Sequence, residues 1–123
     1  MIEDLSPQEF QDSLNDEGNI LIDVREKLEL DICKIDGAIN MPMSTITETF
    51  SDLNPSSNYS IYCHHGMRSM QVANFLLSKG FQFLFNLRGG IDAWSREIDN
   101  SVARYWVIID VVLYSMSIIL SIH

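Results

Sequence analysis

The chain has 123 residues and a formal net charge of −9, with 17 acidic side chains against 8 lysines and arginines. That length suits one domain with a real core, while the charge argues against nucleic acid and anionic lipid headgroups as partners, because their phosphates would be repelled. Two cysteines, Cys33 and Cys63, make no disulfide framework, and the acidic start Met1-Ile2-Glu3-Asp4-Leu5 has no basic segment leading into an apolar one, so no secretory signal and a reducing cytoplasmic setting are expected.

Ser6-Pro7-Gln8-Glu9 is a capping box with proline at the first helical position, and predicts a helix through about Leu14. Ile20-Leu21-Ile22-Asp23 reads as a buried strand, Leu28 to Ile32 as a short helix, Gly37 to Asn40 as a short strand and Met43 to Phe50 as another helix. After the loop Asn54-Pro55-Ser56-Ser57-Asn58, Tyr59-Ser60-Ile61-Tyr62 has the aromatic and β-branched content of a strand, and Ser69 to Lys79 has helical apolar spacing and stops at Gly80. Phe81 to Phe85 makes a further strand, Gly89-Gly90 a turn, and Ile91 to Glu97 a helix carrying Trp94. Strands alternating with helices predict an α/β domain over residues 1–105, with a parallel sheet covered on both faces and ligands at the carboxyl ends of the strands.

The chemistry is expected in Cys63-His64-His65-Gly66-Met67-Arg68-Ser69, between the strand ending at Tyr62 and the helix that follows. The first turn of a helix leaves N–H groups unpaired and carries the positive end of the helix dipole. A loop curling over it points amides at one centre, where they and a guanidinium favour a thiolate. Cys63 then reads as a nucleophile, Gly66 as the residue that permits a tight loop, and Arg68 as a grip for an oxyanion. The competing reading, a buried small hydrophobe beside a solvated arginine, is disfavoured because loop, glycine, arginine and helix agree.

Adjacent Cys63-His64-His65 lacks the spacing of a zinc site, so neither metal nor cofactor is expected. His64 and His65 read either as shaping the mouth of the site or as solvated loop residues. Cys33 reads by default as packing, with a resolving thiol as the minor alternative. Gly89 and Gly90 read as turn residues and Trp94 as core, while Arg88 is open between attracting substrate and solvation.

Together these segments resemble the rhodanese-homology domain of single-domain sulfurtransferases. The resemblance runs from about Leu5 to Tyr105 and rests on four ordered motifs: Ile22-Asp23-Val24-Arg25-Glu26, Ile35-Asp36-Gly37-Ala38-Ile39-Asn40-Met41-Pro42, Cys63 to Ser69, and Asn86-Leu87-Arg88-Gly89-Gly90-Ile91-Asp92-Ala93-Trp94. It implies a reaction in which Cys63 takes a sulfane sulfur from a small anionic donor such as thiosulfate, holds it as a persulfide and passes it to cyanide, a thiol or a protein persulfide partner. Loop amides and Arg68 would hold the anion, and Asp23 and Arg25 would support the site as a structural ion pair. The chain departs from many relatives in placing Lys34, not histidine, before Ile35.

Two alternatives stand beside this reading. One is a carrier or redox-sensing module in which Cys63 holds sulfur for a partner without turnover. The other is a cysteine-based phosphatase or arsenate reductase; dual-specificity phosphatases use a loop one residue longer than the four residues between Cys63 and Arg68, so the spacing favours sulfur.

Residues 106–123 break the pattern. Ten Ile, Val and Leu between Trp106 and Ile122 favour membrane insertion by about 0.3–0.6 kcal/mol each, while Asp110 opposes it by up to roughly 2.5–3.5 kcal/mol. Three readings of this apolar tail are carried: a short membrane anchor over residues 106–122, a helix packed on the domain or a partner chain, and an extension from an altered reading frame.

Overall fold

The computed structural model describes residues 1–105; the apolar tail, with the three readings attached to it, lies outside the described residues. Among the described residues are five strands, Ile2–Leu5 (β1), Asn19–Asp23 (β2), Ile39–Asn40 (β3), Asn58–Tyr62 (β4) and Phe83–Leu87 (β5). All pair in parallel, in the spatial order β1-β5-β4-β2-β3. The helices are Pro7–Leu14 (α1), Lys27–Leu30 (α2), Ile46–Thr49 (α3), Met67–Ser78 (α4) and Gly90–Glu97 (α5). No helix among the described residues is long and apolar enough to cross a membrane.

Side chains alternate across the strands, so each face of the sheet acquires its own core. Ile22, Tyr59, Ile61 and Leu84 pack with Val72, Ala73 and Leu76 of α4 and Ile46 of α3. On the other face Leu21, Tyr62 and Leu87 pack with Phe10 of α1 and Ile91 and Trp94 of α5. Phe10 and Trp94 meet edge to face, with centroids 6.3 Å apart and planes at 84°. Each such side chain, once buried, contributes about 1.5–3 kcal/mol.

Several elements differ from their sequence expectation. β1 was not foreseen: two of its four residues are acidic, and it is stabilised by pairing Ile2, Glu3, Asp4 and Leu5 with Leu84 to Leu87 of β5. The strand expected at Phe81–Phe85 begins at Phe83, because the Phe81 amide instead closes the end of α4 by donating to Leu76 O at 3.1 Å. α4 begins at Met67 rather than Ser69. The helix expected over Met43–Phe50 is a short α-helix between the 3₁₀ turns Met43–Thr45 and Phe50–Asp52.

Topology locates the site. From β2 the chain moves outward to β3, and from β4 it moves outward to β5 on the other side, so the connections diverge at the carboxyl ends of β2 and β4. Such a point leaves a crevice above the sheet, where open α/β folds bind ligands. Cys63 follows β4 directly, and Val24 and Arg25 follow β2.

Candidate active site

Cys63 is buried, 1% exposed, with its sulfur under the start of α4. The Gly66 N–H donates to Cys63 Sγ at 3.0 Å and the Ser69 hydroxyl donates to it at 3.2 Å. Gly66 caps α4 in the left-handed region, φ 95°, and an added Cβ would lie 3.1 Å from Leu87 O and 3.2 Å from Gly89 N. Only a glycine turns the chain there without strain, which is how its amide comes to face the sulfur.

A second helix start fixes the loop from behind. The Ile91 N–H donates to Cys63 O at 2.9 Å and the Asp92 N–H to His64 O at 3.1 Å. The first turn of α5 thus satisfies its orphan donors on two loop carbonyls. Gly90 makes this approach possible, because a Cβ there would stand 2.2 Å from His64 O and 2.6 Å from Cys63 O. The glycine pair, expected to be turn residues of unusual φ, has positive φ at both residues and also sets the seat of the Cys63 loop.

Arg68 is engaged within the protein. It was expected to grip a donor anion; in the structure it is 3% exposed, and its Nη1 and Nη2 donate to Glu29 Oε2 and Oε1 at 2.7 and 2.9 Å. A guanidinium taken out of water needs a counter-charge, and Glu29, itself fully buried, supplies one in bidentate geometry. Burial raises the pKa of Glu29, but the hydrogen bonds and charge of Arg68 outweigh it and hold the carboxyl below its ordinary value.

Asp23 and Arg25 form the structural pair expected of them. Arg25 donates from Nη2 to Asp23 Oδ2 at 2.7 Å and from its backbone N–H to Asp23 Oδ1 at 2.9 Å, and both side chains are fully buried. The same guanidinium reaches Cys33 O at 2.7 Å and the Tyr105 hydroxyl at 2.9 Å. Burial is the largest influence on Arg25 and disfavours its charge, but Asp23 and Tyr105 more than offset this and push its pKa up. Cys33 packs partly buried against the core cluster under α1 and α5, and burial raises its thiol pKa, against a resolving role.

Tyr105 and Glu29 are site residues that sequence reasoning missed. The Tyr105 hydroxyl donates to Glu29 Oε1 at 3.1 Å, and its ring lies on His64 with centroids 3.8 Å apart and planes at 9°. Burial pushes the Tyr105 phenol pKa up, keeping the proton available for Glu29. No local pattern marks Tyr105; Glu29 had one signal, its position four residues after Arg25 in a charge-rich segment.

His64 is 1% exposed, so it is not the solvated loop residue that one reading offered. His65 is partly exposed and lies 3.7 Å from Asp92. Ligand atoms of His64, His65 and Asp92 lie within 4.8 Å of one another. The Asp92 carboxylate, however, already accepts from Arg104 at 2.9 and 3.2 Å and pairs with Arg96 at 3.4 Å, so a metal dication would share it with two guanidinium groups. Arg88, which the sequence left open, is exposed and pairs with Asp4 of β1 at 3.2 Å. Beside the loop lies an open cavity of ≈ 360 Å³ bordered by His65, Gly66, Met67, Met70 and Arg88.

This arrangement can hold a sulfur anion and supply it with donors. The family sequence model of the rhodanese-like domain matches residues 6–97. The chain belongs to the rhodanese-like family. It is 33% identical over 97 residues to a sulfurtransferase of Allochromatium vinosum, an alignment covering 78% of this chain and 91% of that protein. It is 40% identical over 89 residues to the chloroplastic rhodanese-like/PpiC domain-containing protein 12 of Arabidopsis thaliana, covering 69% of this chain but 30% of that longer protein. The rhodanese-like domain protein of Staphylococcus aureus superposes with a TM-score of 0.71 at 27% identity, over 85% of this chain and 99% of its own. The rhodanese-like chain accordingly has relatives named sulfurtransferases, and its parallel five-stranded sheet is that of the family.

Proposed function

We propose that this rhodanese-like chain transfers sulfane sulfur through a persulfide on Cys63. The observation that carries the reading is the setting of Cys63 Sγ, which receives the Gly66 N–H at 3.0 Å and the Ser69 O–H at 3.2 Å at the end of the central strand. Two donors on one sulfur hold it in place at the strand end, and hydrogen bonds to a reacting sulfur strengthen as charge develops on it.

In the first half-reaction the Cys63 thiolate attacks the outer sulfur of a donor such as thiosulfate. A new S–S bond forms, the donor's S–S bond breaks, and sulfite leaves with the electron pair. In the second, cyanide or a thiolate takes the terminal sulfur as thiocyanate or a new persulfide, and the Cys63 thiolate returns. Arg68 and Glu29 hold the loop's shape, while the loop amides receive the anion.

A second reading, a carrier that holds one sulfur for a protein persulfide partner without repeated turnover, draws support from the burial of Cys63 at 1% exposure. Thiocyanate formation from thiosulfate and cyanide, measured on the full chain and on Cys63→Ser with aryl phosphate hydrolysis alongside, separates them. Repeated turnover that vanishes in the variant supports the transferase. Gain of one sulfur atom per chain by intact mass, without turnover, supports the carrier. Neither thiocyanate nor a mass gain overturns both.

A further inference from the structure

The segment that follows α5 closes on the catalytic loop at two consecutive residues. The Tyr105 ring covers His64 in a near-parallel stack, centroids 3.8 Å apart, and its hydroxyl donates to Glu29, the partner of Arg68. Arg104 clamps Asp92 at 2.9 and 3.2 Å, and the Asp92 backbone N–H holds His64 O at 3.1 Å. His64 is therefore fixed by its ring through Tyr105 and by its carbonyl through Asp92. It is the residue directly after Cys63, and the Gly66 N–H must arrive at Cys63 Sγ two residues further on.

We propose that Tyr105 is a positioning residue for sulfur transfer: its flat ring, stacked on His64, holds the loop in the shape that aims the Gly66 amide at Cys63 Sγ. The proposal rests on the sulfurtransferase reading for its role in catalysis, but the geometry it describes acts on the thiol before any sulfur is bound. The ring face matters more than the hydroxyl for this purpose, because the Glu29–Arg68 pair is bidentate and complete without Tyr105, whereas the Tyr105 ring lies face to face on the His64 ring.

The test compares Tyr105→Phe with Tyr105→Leu in the full chain. Both remove the hydroxyl, and phenylalanine alone keeps a flat face. The readouts are alkylation of Cys63 by iodoacetamide, quantified on the Cys63-containing peptide so that Cys33 does not contribute, and kcat and KM for thiocyanate formation. Aromatic stacking contributes beyond the area it buries, so Tyr105→Leu is expected to run roughly twofold to tenfold below Tyr105→Phe in alkylation rate and kcat, with KM little changed. In a His64→Ala background the difference between the two should vanish, a coupling that a merely stabilising ring would not produce.

Equal rates for the two variants with His64 present, or a difference that persists in His64→Ala, would overturn the role given to Tyr105 and leave sulfur transfer standing. If the wild-type chain forms no persulfide and no thiocyanate, the sulfur-transfer reading falls, and alkylation alone still decides whether Tyr105 positions the loop. Tyr105→Met, also without a flat face, replaces the leucine variant if that chain does not fold.

Discussion

Glu29, carried by the four-residue α2, takes both terminal nitrogens of Arg68 from α4, at 2.7 and 2.9 Å. The two residues come from the helices that follow β2 and β4, so this one pair ties the two diverging connections together. Its cationic member sits in the first turn of α4, directly after the Cys63 loop, which makes the loop's shape and the domain's stability one problem.

Removing one partner leaves a buried charge uncompensated, which costs about 3–5 kcal/mol. Arg68→Ala and Glu29→Gln should each lower the unfolding free energy by roughly that amount in urea titrations. The double variant Arg68→Met with Glu29→Leu should recover part of the loss, because an apolar pair needs no counter-charge. Unchanged midpoints in the single variants would show that the pair contributes nothing net.

The same pair predicts how stability responds to acid. The Glu29 carboxyl lies below its ordinary value in the folded chain, since Arg68 outweighs burial, and Asp92 is likewise depressed, with Arg104 outweighing its burial. Groups with depressed folded pKa values contribute their full stabilisation above the unfolded carboxylate value and lose it as pH falls through the folded one. The contribution of these two carboxyls should therefore be constant near neutrality and fall from about pH 4 downward. Glu29→Gln should be less stable at pH 7 and show a shallower acid slope; equal slopes would refute the linkage.

Gly90→Ala should damage the site more than the fold. The new methyl would meet His64 O at 2.2 Å, so either the Cys63 loop or the start of α5 must move. The control is Gly18→Ala, also at positive φ but with nothing within 4 Å of the added carbon, which should cost only the conformational strain of about 1–2 kcal/mol. Cys63 alkylation should fall at least several-fold in Gly90→Ala and stay at the wild-type rate in Gly18→Ala, measured on folded protein at matched pH.

Ser69→Ala removes one of the two donors seen on Cys63 Sγ. A hydrogen bond to a charged acceptor is worth about 1.5–3 kcal/mol, so Cys63 alkylation at neutral pH should slow by about tenfold or more, with circular dichroism unchanged. Ser69→Thr, which keeps the hydroxyl, should recover most of the rate.

What the sequence displayed and what it hid divide along the range of the interactions. The strand, loop and helix around Cys63 were legible because each is written locally: an aromatic and β-branched run, a glycine, then helical spacing. Gly89, Gly90 and Trp94 were legible as turn and core for the same reason. Glu29 and Tyr105 were not, because their roles depend on Arg68 and His64, residues far away in sequence. β1 was hidden because the backbone of β5 stabilises it against the preference of Glu3 and Asp4. The break in Met43–Asp52 arises where the Thr45 and Thr49 hydroxyls reach back to Pro42 O and Thr45 O, competing with a longer regular helix.

Those same two acidic residues on β1 carry a further consequence for how copies of the chain meet in solution. A sheet's outermost strands offer unpaired backbone groups to any passing extended segment, and proteins blunt them with charge or brevity. Here one border is β3, only two residues long, and the other is β1, whose exposed Glu3 presents a carboxylate to any incoming strand while Asp4 is held by Arg88 and Asn86. A second copy, with the same Glu3 on its border, would meet like charge there, so charge and brevity oppose strand-to-strand stacking at the two edges of the sheet.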